Sequence, residues 1–568
     1  MAQPLHLRGT LEQPQAILPK RNRLSAWERV SGWPPDGRQL LAGFLWLVTC
    51  VLLATHYVHL KADFPNHSPW MDWAKYTDEG WYGDAALRYF QRGSWYVPGD
   101  FNPAAALPVW PMIEGVIFAF TGVSLVAARA ASVTIFLLAV FSSALLLRKW
   151  SGVSHSKTAL APPVAALLLA ASPFCYVFTR MAILEPLLIL LMPLALLAAT
   201  TARGGRRWTP AFSLGVLLPM LVLTKTTAVF LFPSIGWMLW ASCGRDLRRF
   251  SRLAAPAVSL AVMLWCGWYG LVVHPRYVED YQYLFSANAY TVTTLQALPK
   301  VFWKMVADGL WMGPLLYTLT MVTAVVSLPR LFSRRRNPLI GALVLWVAGY
   351  MVFLTYHNNL QPRYYLVVAV PMTLLLPLML EEWWQKLRGR NLRAAEALFL
   401  TAAAVLSVIV WRDARLMLHY EHRPEYSLLT AAREVATVVR QGQKIDPAHS
   451  NLVLSISGSN ISLMTGLPSI CDDYGTLELQ DRVAKYKPGW YVAWNQIDDD
   501  KMDALTPYYH VERVATFAAM DDPERNQLVV YRLDAKAQTP FVRHRGKPIP
   551  PSLRTKMGQQ PSTQQLEH

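Results

Sequence analysis

Residues 76–90 read YTDEGWYGDAALRYF. Two adjacent carboxylates, Asp78 and Glu79, stand beside Gly80, Trp81 and Tyr82, and a third acid, Asp84, follows. The stretch begins some twenty residues after the apolar run QLLAGFLWLVTCVLLATHYV at 39–58, which is long enough to cross a bilayer and has no small-residue cleavage site. An acidic, aromatic helix start just outside a first span is an unusual use of charge, and the rest of the chain explains it.

Of the 568 residues, 53% are hydrophobic and only 16% charged. Soluble domains carry about 25% charged residues, so repeated apolar runs at this charge density indicate a polytopic membrane protein. The 22 Trp and 24 Tyr suit the membrane interface, where a ring is half buried and its polar edge is wet. The net charge of +17 does not indicate nucleic acid, because no basic patch is interleaved with stacking aromatics. The basic residues lie mostly between apolar runs, where they orient a membrane protein and meet anionic lipid. The five cysteines, Cys50, Cys175, Cys243, Cys266 and Cys471, show neither metal spacing nor an evident disulfide partner.

Eleven apolar runs are expected to span, centred on 39–58, 126–148, 158–176, 182–201, 208–223, 226–242, 254–273, 309–328, 338–356, 364–381 and 394–412. A possible twelfth, LPVWPMIEGVIFAF at 107–120, is shorter and carries Glu114. If it lies at the interface and the N-terminus is cytoplasmic, the basic segments at Arg8–Arg38, Arg148–Lys157, Arg203–Arg207, Arg245–Arg252, Arg330–Arg336 and Lys386–Arg393 all fall inside, as the positive-inside rule requires. The expected organisation is a basic cytoplasmic segment at 1–38 and a transmembrane unit at 39–412, with its first outer loop at 59–125. A small extracytoplasmic α/β domain follows at 413–535, then a polar, disordered tail at 536–568. In that domain NLVLSIS, GWYVAWN and NQLVVYRL read as strands; SLLTAAREVATVVRQG and LELQDRVAKY have helical periodicity.

On this map the unusual polar residues share one face of the membrane. They are Asp78 and Glu79; Arg180 and Glu185 in TRMAILEP; Lys225 in LTKTTA; His274, Arg276 and Tyr277 before the long outer loop; and His357, Asn358, Asn359, Gln361 and Arg363 in YHNNLQPRYY. Ionisable groups at such depth are costly and usually line a cavity or pair with one another. Acids and cations together suit transfer from a lipid-phosphate donor. Lys and Arg stabilise the charge that develops on the leaving phosphate, and a carboxylate takes the proton of an attacking hydroxyl. Attack from the opposite side inverts the sugar carbon. The same residues admit structural roles: an acidic pair at a helix start serves its dipole, with Thr77 as a cap; Arg180 and Glu185 can form an ion pair; Lys225 can snorkel. Asp472 and Asp473 in CDDYG resemble a metal motif for nucleotide sugars, but they fall in the outer domain, where such donors are scarce.

Four stretches carry a family resemblance: DEGWYGDAALRYFQRGSWYVPGDFNPAAALPVWP at 78–111, GVSLVAARAASVTIFLLAV at 122–140, ASPFCYVFTRMAILEPLL at 171–188 and QPRYYLVVAVPMTLLLP at 361–377. In order and spacing the chain resembles the GT-C glycosyltransferases, specifically the branch of protein O-mannosyltransferases and lipid A aminoarabinose transferases that use polyprenyl-phosphate sugars. The resemblance covers roughly residues 39–412. It implies Asp78 as catalytic base with Glu79 as acidic companion, and Arg363 and Lys225 at the donor phosphate; together with the polar cluster on the outer face, the expected substrate-binding set is Lys225, Arg363, Tyr364, His357, Asn102, Arg180 and Arg276. Several relatives have a Lys after the acidic pair; here FNPAAALPVWP at 101–111 has none, and Asn102 occupies that neighbourhood.

The expected function is an inverting glycosyltransferase of the inner membrane, moving a sugar from a polyprenyl-phosphate donor to a lipid, glycan or protein acceptor on the outer face. Its partners are membrane lipid, that donor and the acceptor. No metal or cofactor is expected to be obligatory, and the reading leaves a divalent metal open. The competing reading is a secondary transporter or lipid flippase, which the absence of an evident internal repeat disfavours.

Overall fold

The computed structural model describes residues 37–150, 159–204, 208–287, 293–307, 311–332, 337–357 and 360–536. Most of the basic N-terminal segment, most of the tail, Arg206, Arg207, Arg334–Arg336, Asn358 and Asn359 lie outside the described residues.

The chain is a polytopic membrane protein, and each of the eleven apolar runs carries a helix. The first is α1 (Gly37–Thr55). It is followed by α2 (Asp78–Arg92), α3 (Val109–Thr121) and α4 (Leu125–Trp150). Then come α5 (Ala161–Ala171), α6 (Pro173–Thr179) and α7 (Glu185–Thr200). Next are α8 (Trp208–Thr224), α9 (Phe232–Ser242) and α10 (Leu247–Trp268). The last long helices are α11 (Pro314–Ser327), α12 (Pro338–Tyr356), α13 (Leu366–Arg388) and α14 (Leu392–His422). Among the described residues eight helices are long and apolar enough to cross a membrane, nine if the bent pair α5–α6 is one span. The runs at 208–224 and 226–242 are shorter apolar helices. Helix α3 has 13 residues, about 20 Å of rise, well short of a hydrocarbon core of about 30 Å.

The 66° bend between α5 and α6 has a local cause. Pro173 disfavours helical backbone at Ser172, which adopts φ −66°, ψ 118° and caps the next helix, its Oγ accepting from Cys175 N at 3.2 Å.

The C-terminal part begins at α15 (Ser427–Ile445) and holds a mixed five-stranded sheet. Its strands are β1 (Val453–Leu454), β2 (Ser469–Ile470), β3 (Trp490–Trp494), β4 (Tyr509–Ala518) and β5 (Gln527–Ala535), in the order β2-β1-β3-β5-β4. β1 pairs in parallel with β2 and β3, whereas β5 runs antiparallel to β3 and β4. The expected strands at 451–457, 489–495 and 526–533 are β1, β3 and β5. β4 escaped the sequence reading because a register shift between Arg513 and Ala515 breaks its alternation. Residue 413, the expected start of this part, falls inside α14.

The sheet part rests directly on α2 through α16 (Gly458–Thr465). A Cβ at Gly80 would lie 2.2 Å from the Asn460 backbone nitrogen, so only glycine allows this approach. Thr77, the expected cap, makes no side-chain cap on α2. The Gly80 amide donates instead to Asn460 Oδ1 at 2.5 Å.

Candidate active site

Asp78 opens α2 with its carboxylate buried, 2% exposed. Thr77 Oγ1 donates to Asp78 Oδ1 at 3.0 Å. Among the described residues none donates a hydrogen bond to Asp78 Oδ2. Arg363 Nη2 stands 3.0 Å from that oxygen, close enough for an ion pair but not aligned as a hydrogen bond.

Arg363 comes from the short 3-10 turn Pro362–Tyr365 that leads into α13. Asp72 fixes it. Asp72 Oδ2 accepts the Arg363 backbone N–H at 2.8 Å, and Asp72 Oδ1 pairs with Arg363 Nη1. The same Oδ1 caps the turn Trp73–Lys75 through Ala74 N at 2.8 Å. Arg363 Nη2 also donates to Tyr364 Oη at 3.3 Å.

The Tyr364 ring continues the cluster, with Lys225 Nζ lying 3.9 Å from its centroid. Lys225, between α8 and the 3-10 turn Thr226–Leu231, pairs with Glu185 at the start of α7. His357 follows α12, stacks on Phe353 at 5.2 Å and lies 6.2 Å from the Tyr364 ring. Burial, with the charges of Lys225 and Arg363, lowers its pKa to about 4, so the imidazole is neutral near pH 7.

The expected residues Asp78, Lys225, Arg363, Tyr364 and His357 therefore come together, from four separate places in the chain. Burial raises the Asp78 carboxyl above the ordinary range; Arg363 opposes the shift, and Asp72 and Glu185 add to it. A buried carboxyl with a raised pKa and an unused oxygen is equipped to take a proton.

The other expected residues sit differently. Glu79, next to Asp78, turns into a bidentate pair: Arg129 Nε donates to Oε1 at 2.8 Å and Nη2 to Oε2 at 2.6 Å. Ala182 N adds a third bond to Oε1 at 2.9 Å, so the Glu79 carboxylate is satisfied by structural partners. Asn102 belongs to a separate buried network. It accepts from Arg88 Nη1 at 2.7 Å and donates to Asp280 Oδ1 at 2.7 Å. Arg88 in turn pairs with Asp84 at 2.7 Å and Asp100 at 2.5 Å. Arg180 pairs with neither Glu185 nor Asp78; its Nη2 holds the carbonyls of Val58 and His59 at 2.7 and 2.6 Å. Arg276 is exposed. Asp472 accepts from Tyr491 Oη at 2.6 Å and pairs with Lys501 at 3.3 Å. Among the described residues no group of three or more His, Cys, Asp or Glu side chains is placed to hold a metal ion.

Sequence reasoning missed Asp72 and Arg129. Asp72 had no signal beyond its place between aromatics in WMDW. Arg129 had one: an arginine near the start of a long apolar helix demands a buried anion.

No protein-family model matches the sequence, and no curated protein matches it by sequence. The structure does have likenesses. ArnT from Cupriavidus metallidurans in the apo state superposes with a TM-score of 0.58 at 17% identity, over 86% of this chain and 98% of that one. The chain has the GT-C fold. The same ArnT bound to undecaprenyl phosphate superposes at 0.56, also at 17% identity and with the same coverage. The apo Archaeoglobus fulgidus oligosaccharyltransferase reaches 0.47 at 13% identity, over 85% of this chain and 76% of that one. The Asp78 cluster sits where the starts of α2 and α7 meet the end of α8, the end of α12 and the turn leading into α13.

Proposed function

We propose that this GT-C protein is an inverting glycosyltransferase that moves a sugar from a polyprenyl-phosphate donor to a hydroxyl of a lipid, glycan or protein acceptor on the outer face of the membrane. The observation that carries the reading is Asp78 Oδ2: buried, free of hydrogen bonds and 3.0 Å from Arg363. The acceptor oxygen attacks the anomeric carbon as the bond from that carbon to the phosphate oxygen breaks. The electron pair leaves with the phosphate, and the hydroxyl proton passes to Asp78. The products are the inverted glycoside and polyprenyl phosphate. The donor class is supported by the ArnT likeness, since that protein was crystallised with undecaprenyl phosphate.

Arg363 is the cation next to the base and is assigned to the leaving phosphate, with Lys225 behind it over the Tyr364 ring. Tyr364 and His357 line the same place. Glu79, held by Arg129, is assigned to fixing the start of α2 rather than to proton transfer. Asn102, through Arg88, is assigned to joining α2 to the sheet part, and Arg180 to holding the loop after α1. The transmembrane part through α14 is the catalytic unit in this reading, and the sheet part is extracytoplasmic.

The test is transfer of labelled sugar from polyprenyl-phosphate donors by the purified protein, wild type beside Asp78→Asn. A general base contributes about 10²–10⁴-fold, so the variant should lose at least two orders of magnitude while remaining folded and inserted. Turnover by Asp78→Asn at the wild-type rate would remove Asp78 from the mechanism.

A further inference from the structure

An open groove of about 490 Å³, lined by none of the residues of the Asp78 cluster, lies at the end of α1. Among its lining residues are Tyr57, His59, Lys61, Val126, Tyr426 and Arg433, and none of the described residues that line it is a carboxylate. This contrasts with the Asp78 cluster, where each cation is matched by an acid. Lys61 and Arg433 are exposed.

The walls are preformed. Tyr57 Oη hydrogen-bonds Thr134 Oγ1 of α4 at 2.8 Å, and Tyr426 Oη hydrogen-bonds His59 Nδ1 at 2.9 Å. Arg180 holds the carbonyls of Val58 and His59, and Arg129 holds that of Leu60 at 2.9 Å and also that of Ala62. The loop is therefore fixed in place, with His59 in the left-handed region at φ 54°.

What leads up to the groove is apolar. Leu40, Phe44, Leu47 and Val51 form an exposed stripe along α1, at helical spacing, ending one turn below Thr55. On α4, Leu138, Phe141 and Leu145 are exposed as well, and Trp46 of α1 stacks on Phe141 at 5.8 Å. An unbalanced basic and tyrosine-lined pocket at the end of a membrane helix, continuous with two lipid-facing helices, matches an amphiphile with an anionic head and apolar tails.

We propose that this groove binds the phosphate headgroup of a bilayer lipid, with Lys61 and Arg433 on the phosphate and the acyl chains along α1 and α4. The site is separate from the donor site assigned above, and binding there does not depend on Asp78.

The test uses the full-length protein in detergent, with retention of dioleoyl phosphatidic acid, dioleoylglycerol and inorganic phosphate measured by native mass spectrometry. The wild type should retain phosphatidic acid and not dioleoylglycerol. The doubly substituted Lys61→Glu, Arg433→Glu protein should bind phosphatidic acid roughly tenfold or more weakly, at unchanged melting temperature. Equal retention of dioleoylglycerol, or equal retention of phosphatidic acid by the variant, would overturn the proposal. Displacement by equimolar inorganic phosphate would overturn the lipid as the source of the phosphate. Should the doubly substituted protein fail to fold, a diazirine-tagged phosphatidic acid on the wild type decides: crosslinks within 57–61 and 426–433 support the site, and crosslinks confined to other segments overturn it.

Discussion

At the scale of single residues, the proposed mechanism turns on Asp78 and Arg363. Asp78 is basic only when ionised, and burial raises its pKa. The acid limb of a kcat/KM profile for transfer should therefore lie above the ordinary carboxylate value of about 4. Arg363 is the largest influence lowering that pKa. Arg363→Gln removes a positive charge from beside the carboxylate, so the protonated form gains and the limb moves to higher pH, together with a fall in kcat. A pH profile whose acid limb stays put in Arg363→Gln would show that the two groups are not coupled. The residue scale also shows where reading the sequence works. The gathering of Asp78, Lys225, His357 and Arg363 was legible because polar groups beside apolar runs are conspicuous. Their partners Asp72 and Glu185 were not assignable, because a pairing across 291 residues, as between Asp72 and Arg363, leaves no local trace.

At the scale of elements, the start of α2 is held from two directions. From the membrane side Arg129 of α4 grips Glu79 bidentately, both side chains being nearly inaccessible. Removing one partner of such a pair strands a buried charge, at a cost of about 3–5 kcal/mol. Arg129→Ala should lower thermal stability by that order and reduce transfer through displacement of Asp78; a melting temperature equal to wild type would contradict this role for the pair. From the other side Asn460 takes the Gly80 amide. Asn460→Ala leaves that buried donor unpaired, a loss of about 1–3 kcal/mol. Hydrogen exchange at Gly80 should then rise well above that at the middle of α2, and unchanged protection would refute the contact. Here the sequence was half legible. The helix after Thr77 could be read from its acidic start, whereas its cap could not, because the cap is supplied by a distant side chain and not by Thr77. The same limit explains Asn102 and Arg180: each is committed to a neighbour that composition does not reveal.

At the scale of the whole molecule, the membrane part and the sheet part share buried charge. Asp100 accepts from Arg88 at 2.5 Å, from Cys471 N at 3.0 Å and from Arg482 at 3.4 Å. Asp63 adds a second seam, accepting from Leu428 N at 2.7 Å at the start of α15 while its own amide donates to the Glu425 carbonyl at 2.8 Å. Asp100→Asn should leave two buried arginines short of an anion, again about 3–5 kcal/mol, and should make the sheet part more susceptible to limited proteolysis than the membrane helices. Equal cleavage rates in both proteins would argue against a shared seam. The polytopic membrane class was legible at this scale because the apolar runs survive as pattern, and the GT-C fold was legible through the resemblance carried by four stretches of the membrane part. The closeness of the two parts was not, since nothing in either part's own periodicity refers to the other.

The bond from the Gly80 amide to Asn460 spans 380 residues of chain. Its consequence lies in time rather than in space. As the protein is made and threaded into the bilayer, α2 emerges early, yet the side chain that completes its first turn is synthesised only after all the long membrane helices. Until then the Gly80 amide lacks the partner it has in the folded chain, so the first turn of α2 is completed last, after every helix of the membrane part has been made.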